Sequence, residues 1–540
     1  MHGFRAHFLS LLTLVGVLTV RIDARILYVT PQGNDATAEP DNPARPFQNL
    51  TNAFRNLRNG DRMEVGAGKY TVTPGFPNTY YPLPDKAPMK LQNLTNVSII
   101  GKGDVEIYGE GEGSFLMAEF CNNVRIENLT FKGNHPPFTN SIADLYTMVL
   151  LRGQNDSIQF DACRFVGFGD HAISHLFGAK TSVNLLVTNC YFADGGALTV
   201  PILGVDGAAI SGISSGSRIV NNKFENLLRG IEVEGVYDGT ITNVLIQGNT
   251  ITDCYGVGIM VFATCHLGFS EVHRYRDVRI INNVVSNMFW HPQLGPYVTY
   301  GILVWGGEKM LVAGNRVEQG RLGMGIDVSA VQRGMKDVTV VSNLVQDFRF
   351  RGIQVYAANE PLDGGLIQGN IVRRVGDEGI KMKGNRLECR DNIVEDTAYA
   401  DIRASIALEG GTNGVISDNT ITNSSAAWSE CGIWLKGTTN TVVYGNTFHQ
   451  VPGGAIKDEG INTKTLPKVR SLRRRNTAYE LAVAGLPGVP YFLEVSSDVK
   501  TWTAVTNKVA SETGLLNLGH TVPPGSPCTF FRISSGTSTD

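Results

Sequence analysis

The chain carries almost no net charge, because 47 Lys and Arg set against 50 Asp and Glu leave −3 at pH 7. A nucleic-acid binder shows a basic stripe or a strongly positive total, so DNA and RNA are not expected partners. Cysteine occurs eight times (Cys121, Cys163, Cys190, Cys254, Cys265, Cys389, Cys431 and Cys528), yet no two form a Cys-x-x-Cys pair. Neither a zinc site nor a small disulfide scaffold is signalled, and most are expected to be buried small apolar side chains. The apolar run at residues 8–20 is too short to span a bilayer, so no membrane span is expected. Glycine is abundant at 61 residues but follows no Gly-X-Y period, which excludes a collagen-like chain and implies many tight turns.

What is present is a globular composition, 42% hydrophobic and 18% charged over 540 residues, enough for a sizeable core. Residues 1–24 have a weakly basic start, an apolar run and small residues near Ala24, the layout of a secretory signal peptide. A secreted, periplasmic or extracellular protein is expected. A buried N-terminal strand is the alternative, and the polar segment 28–46 that follows does not continue its pattern.

An internal repeat runs from about Val124 to Gly460. Each unit has a short β-branched run, an Asn, a second apolar run, a turn, and then Gly-Ile-x-Val-x. The Asn falls at 222, 249, 283, 315, 343, 370, 392, 419 and 446, and successive differences are 27, 34, 32, 28, 27, 22, 27 and 27. That period suits a solenoid coil of short strands. Asn at one point per coil tolerates the left-handed conformation of a sharp turn, and stacked amides hydrogen-bond from coil to coil. Cys163 and Cys190 hold the equivalent place in two earlier coils, as a stacked thiol pair or, under oxidising conditions, a disulfide.

With these features the chain resembles the right-handed parallel β-helix superfamily of pectate lyases, polygalacturonases, alginate lyases and related epimerases. The resemblance implies an all-β solenoid over residues 25–465 and a polysaccharide lying along one strand face. Phe47, Leu50, Phe54 and Leu57 share one helical face, suited to a helix that caps the open first coil. Beyond a basic cluster read as a solvated linker (Lys464, Lys468, Arg470, Arg473, Arg474 and Arg475), residues 466–540 alternate as a small β-sandwich-like module.

Within Gly-Ile-x-Val-x the Ile and Val point inward, so the x positions form two outward rows. The first row is Glu232, Met260, Leu303, Asp327, Gln354, Lys381, Ala407, Trp434 and Lys457. The second is Glu234, Phe262, Trp305, Ser329, Tyr356, Lys383, Glu409 and Lys436. Phe262, Trp305, Tyr356 and Trp434 are suited to stacking on sugar faces, unless loops cover them. Arg274, Arg351 and Lys436 are further candidates for binding substrate. Long coil insertions bring His266, Glu271, His273, Arg274 and Arg276, and then Trp290, His291, Tyr297 and Tyr300.

Cleavage of an acidic polysaccharide is expected, with β-elimination ahead of hydrolysis. β-Elimination on a uronate needs a cation and a base. Tyr356 and Lys383 on adjacent rungs, with Lys381 nearby, would supply them if the ammonium depressed the Tyr pKa. The alternative for these lysines is an ion-pair ladder from Lys383 to Glu409 to Lys436. Hydrolysis needs two carboxylates, for which Glu232 with Glu234, or Asp327 with a loop residue such as Glu271 or His291, are candidates. A C5-epimerase would share the proton-abstraction step. A non-catalytic glycan-binding surface protein is the competing class. The polygalacturonase motifs are not present, and there is no run of clustered Asp of the pectate-lyase kind, although the superfamily resemblance makes calcium a candidate cofactor. A monomer acting on a polysaccharide is expected.

Overall fold

The computed structural model describes residues 24–74, 87–109, 113–134, 147–175, 182–196, 207–234, 240–262, 274–289, 299–320, 322–331, 333–400, 403–423, 430–451, 453–523 and 529–535. The signal-peptide expectation therefore falls almost wholly outside them.

The main body is a right-handed parallel β-helix. Among the described residues forty-one strands are linked by parallel pairing, each strand hydrogen-bonding its counterpart one coil away. A representative coil runs through Met335–Val341, Leu344–Phe348 and Ile353–Ala357, and the next through Leu362–Gln368, Ile371–Val375 and Ile380–Lys383. An isoleucine column passes through the core from Ile173 by way of Ile210, Ile231, Ile259, Ile302, Ile326, Ile353, Ile380, Ile406 and Ile433 to Ile456. In the earlier coils Phe131, Phe165, Phe192 and Phe224 stack face to face, with centroids 4.8 to 5.1 Å apart. The glycine of the motif is a matter of space. A Cβ on Gly352 would lie 2.6 Å from the Gly379 carbonyl oxygen and 2.3 Å from Val372, so the coils could not close over a larger residue.

The Asn ladder is continuous and buried. Asn249 Nδ2, for example, donates to Asn283 Oδ1 at 3.0 Å and to the Ile219 carbonyl at 2.9 Å, and Asn283 Oδ1 also accepts from the Asn249 backbone N–H at 2.9 Å. The same set recurs from Asn222 to Asn446. The left-handed conformation does not fall on these residues. It falls one position earlier, at Asn221, Gly248, Asn282, Gly314, Ser342, Gly369, Asp391, Asp418 and Gly445. The ladder Asn is thus selected by its amide alone, which meets backbone groups of neighbouring coils that would otherwise be buried unpaired.

Cys163 and Cys190 are buried free thiols on adjacent coils, and a hydrogen bond between them, together with burial, pushes the Cys190 thiol pKa up. Cys121, Cys254 and Cys389 are likewise free and buried, Cys431 is buried, and Cys265 and Cys528 lie outside the described residues. The capping helix is shorter than the apolar pattern suggested, Leu50–Arg55, with Asn49 accepting from the Thr51 N–H at its start. Phe47 and Leu57 are still buried beside Leu50 and Phe54, so the cap works as a helix with two flanking anchors.

At the other end two three-stranded antiparallel sheets enclose a separate small core around Leu481, Tyr491, Leu493 and Leu518. Most of the basic cluster is the first of these strands, Lys468–Arg475, and not a linker. Its Lys468 meets Asp418 of the β-helix at 2.5 Å, and the Phe448 N–H donates to the Thr513 carbonyl at 3.3 Å. Among the described residues no helix is long and apolar enough to cross a membrane.

Candidate functional site

The two rows exist in the expected register. Glu232 pairs with Met260, Met260 with Leu303, Leu303 with Asp327, Asp327 with Gln354, Gln354 with Lys381, and so on through Ala407 and Trp434 to Lys457. Outward, however, does not mean exposed. From Glu232 to Trp434 every member of the first row is buried, none above 8% exposure. Two small apolar clusters account for much of this. Met260 and Leu303 pack with Val257 under Phe262, Tyr300 and Trp305, and Ala407 and Trp434 pack with Ala404 and Cys431. Polar groups sit between these clusters.

Asp327 is the centre of that polar stretch, at 3% exposure. The strand Gly323–Ala330 presents it, and three side chains surround its carboxyl group. Trp305 Nε1 donates to Oδ2 at 3.3 Å, Gln354 Nε2 donates to Oδ1 at 3.0 Å, and Ser329 Oγ is in close contact with Oδ1. Burial raises the Asp327 pKa and outweighs these hydrogen bonds and the pull of Arg351, which favours the protonated acid. Nearby, burial pushes the Tyr300 hydroxyl up to about 12, with the Asp327 charge acting in the same direction.

A charged chain leads away from Asp327. Gln354 receives Arg351 Nη1 at 2.9 Å, Arg351 Nε reaches Glu378 at 3.0 Å, Glu378 faces Lys381 at 3.4 Å, and Lys381 reaches Glu409 at 3.1 Å. Glu378 has no exposed side-chain surface; burial opposes its charge, but Lys381 and Arg351 together hold it below the usual carboxylate range. The sequence carried a signal for it, because Glu378 follows Arg351 by 27 residues, one coil.

Tyr356 and Lys383 are paired on adjacent rungs, and the Lys383 ammonium lies 5.2 Å from the Tyr356 ring centroid. The expected depression of the Tyr356 pKa is reversed: burial first, then the Glu409 carboxylate 3.5 Å from the hydroxyl, raise it. The phenolate base is therefore disfavoured. Nor do Lys383, Glu409 and Lys436 form the anticipated ladder, since the ammonium that holds Glu409 belongs to Lys381.

Phe262 and Trp305 are half-buried neighbours, centroids 5.0 Å apart, beside Asp327. Trp434 and the exposed Lys436 stand further along, the ammonium 4.9 Å from the indole. Glu232 is three rungs from Asp327 on the other side and is paired with Arg229 at 3.0 Å. Arg274 is exposed at the start of Arg274–Ile281, on a neighbouring sheet, and belongs to neither row. His291, His266, Glu271 and His273 lie outside the described residues, as does the side chain of Glu234. Among the described residues no group of three or more His, Cys, Asp or Glu is arranged to hold a metal ion.

The family model for a right handed beta helix region matches residues 113–317 and 268–448, more than half of the chain. No curated protein is similar in sequence. Solved structures of similar fold include the A-module of an Azotobacter vinelandii mannuronan C-5 epimerase, with 13% identity, 75% of this chain and 91% of that one covered and a TM-score of 0.32. A tailspike protein double mutant of E. coli bacteriophage HK620 shares 13% identity over 88% of this chain and 86% of its own, with a TM-score of 0.41. The GH136 lacto-N-biosidase of Eubacterium ramulus shares 14% over 78% and 67%, with a TM-score of 0.34.

Proposed function

The chain belongs to the family of right-handed β-helix regions, and on that footing we propose that it is an exported glycoside hydrolase. In this reading a polysaccharide lies along the outward face from Phe262 to Lys436, and Asp327 is the general acid. The observation that carries the reading is the state of Asp327. A carboxyl group whose pKa is raised by burial, set against the Trp305 indole on the face where the glycan would lie, is suited to giving its proton to a glycosidic oxygen.

β-Elimination is less well supported by the same surroundings. It asks for an uncommitted cation opposite the uronate and for a strong base. Near Asp327 the charges of Arg351 and Lys381 are already met by Glu378 and Glu409, and Tyr356 is held in its protonated form. Glu378 has no exposed surface and is held by Arg351 and Lys381, so it acts as their charge anchor and not as the water-activating base.

The test is incubation of the mature protein with pectate, alginate, glycosaminoglycans, ulvan and neutral glycans, following new reducing ends and absorbance near 235 nm, which reports unsaturated uronate. Reducing ends without absorbance, abolished by Asp327→Asn, are the expected result. Growth of both signals would replace the hydrolase with a lyase. Binding without either would replace the enzyme with a glycan-binding surface protein. Glu271→Gln and His291→Ala, the two candidates for the base taken from the sequence, complete the set.

A further inference from the structure

We propose that the second outward row selects an anionic polysaccharide whose carboxylates occur on alternate sugars, received by Lys383 and Lys436. This rests on the reading that a glycan lies along this face, and it adds to that reading the charge pattern of the glycan.

Continuing the register Met382 to Leu408 by one residue sets Glu409 beside Lys383, and Glu409 pairs in turn with Lys436 and Lys436 with Glu459. The row thus alternates in sign, positive, negative, positive, negative. Had the opposite charges simply neutralised one another along the row, no ligand would be implied. They do not. Glu409 is held from the first row by Lys381 at 3.1 Å, and Glu459 by Lys457 at 3.1 Å. Among the described residues neither Lys383 nor Lys436 has a carboxylate within ion-pair distance. Each ammonium instead lies near an aromatic ring, Lys383 at 5.2 Å from the centroid of Tyr356 and Lys436 at 4.9 Å from that of Trp434.

The two ammonium groups thus stand in one row two rungs, about 10 Å, apart, although Tyr356 is a rung before Lys383 and Trp434 is on the strand of Lys436 itself. The rise per rung is close to the advance per residue of an extended pyranose chain, so two rungs correspond to one disaccharide. An ammonium group that has no carboxylate within ion-pair distance and stands on the outward row is suited to a uronate carboxylate. The sugar in between faces the Glu409 carboxylate, which accepts from a hydroxyl or an amide N–H and repels a second carboxylate. A homopolymer of uronates would place every second acid against Glu409, whereas an alternating polymer would not.

The test measures binding to the full-length Asp327→Asn variant, so that no cleavage intervenes. The probes are hyaluronan, chondroitin and heparosan oligosaccharides, which alternate; oligogalacturonate, which does not; and neutral cello-oligosaccharides. At least one alternating probe is expected to bind most tightly. Lys383→Met with Lys436→Met should weaken that binding roughly tenfold, about threefold for each partly exposed ion pair, and reduce its salt dependence. Glu409→Gln should strengthen oligogalacturonate relative to the alternating probes. Oligogalacturonate or the neutral probe binding as tightly as every alternating one, a preference that survives the double lysine variant, or no binding of any alternating probe would each overturn the proposal. The two readings fail separately. Wild-type cleavage of a neutral glycan, unaffected by the lysine changes, would remove this inference and leave the hydrolase. Binding of an alternating acid with no bond cleaved would do the reverse.

Discussion

Along the turn that carries Asn222 to Asn446, nine successive coils present the same side chain, whereas along the outward column from Glu232 to Lys457 nine coils present eight different ones. The two columns have the same backbone periodicity and are both largely buried, yet they are under different demands. At the turn every coil poses the same problem, backbone groups that need a hydrogen-bond partner, and one amide solves it each time. On the outward column the backbone is already satisfied by strand pairing, so the side chains are free to differ. Buried acids and bases, Glu232, Asp327 and Lys381, have accumulated there. Repetition marks what holds the solenoid together, and departure from repetition marks what it is used for.

The largest expected effect falls on the irregular column. Asp327→Asn should lower turnover by about 10²- to 10⁴-fold, the usual contribution of a general acid. In the wild type the acid must be protonated, so kcat/KM should fall as pH rises through the Asp327 pKa, which lies above 3.8. A pH profile whose alkaline limb is unchanged in a residually active Asp327 variant would assign that limb to another group.

Next comes Arg351→Met, expected to destabilise the fold by about 3–5 kcal/mol because Glu378 loses a hydrogen-bonded partner while staying buried. Adding Glu378→Gln should recover much of the loss in denaturant melts. Failure to recover would mean that Arg351 acts through packing alone.

In the regular column, Asn315→Ala should cost about 2–3 kcal/mol by stranding the Asn283 N–H and removing the amide bond to the Ile280 carbonyl. The effect on turnover per folded molecule should be negligible, and a comparable loss of turnover would undo the separation of the two columns. The smallest expected change is Trp305→Ala, which should weaken oligosaccharide binding by about 1 kcal/mol through the lost ring contact, readable by titration calorimetry.

Legibility in the sequence follows the same division. The coil period, the strand triplets and the inward Ile and Val could be read because each repeats with the solenoid. The burial of the first row could not, since alternation along a strand gives the direction of a side chain but not whether Phe262, Tyr300 and Trp305 on the same and the adjoining rung pack against it. The Tyr356 environment was misjudged for a related reason: Lys383 is adjacent in register, but the group nearest the hydroxyl is Glu409, 53 residues on. The left-handed turn residue one place before the repeated Asn was missed because its conformational demand is met by Gly, Asn, Asp or Ser and so leaves no single-letter signature.

The most direct test of the division is to measure thermal stability and turnover side by side for Asp327→Asn. Asp327 is penalised in its charged form by burial; its raised pKa means that stability present below pH 3.8 is lost as pH rises through the folded value. The neutral amide should therefore leave Tm at neutral pH unchanged or higher while turnover falls at least a hundredfold. A lowered Tm with turnover per folded molecule retained would place Asp327 among the groups that hold the fold together and contradict its assignment as the acid.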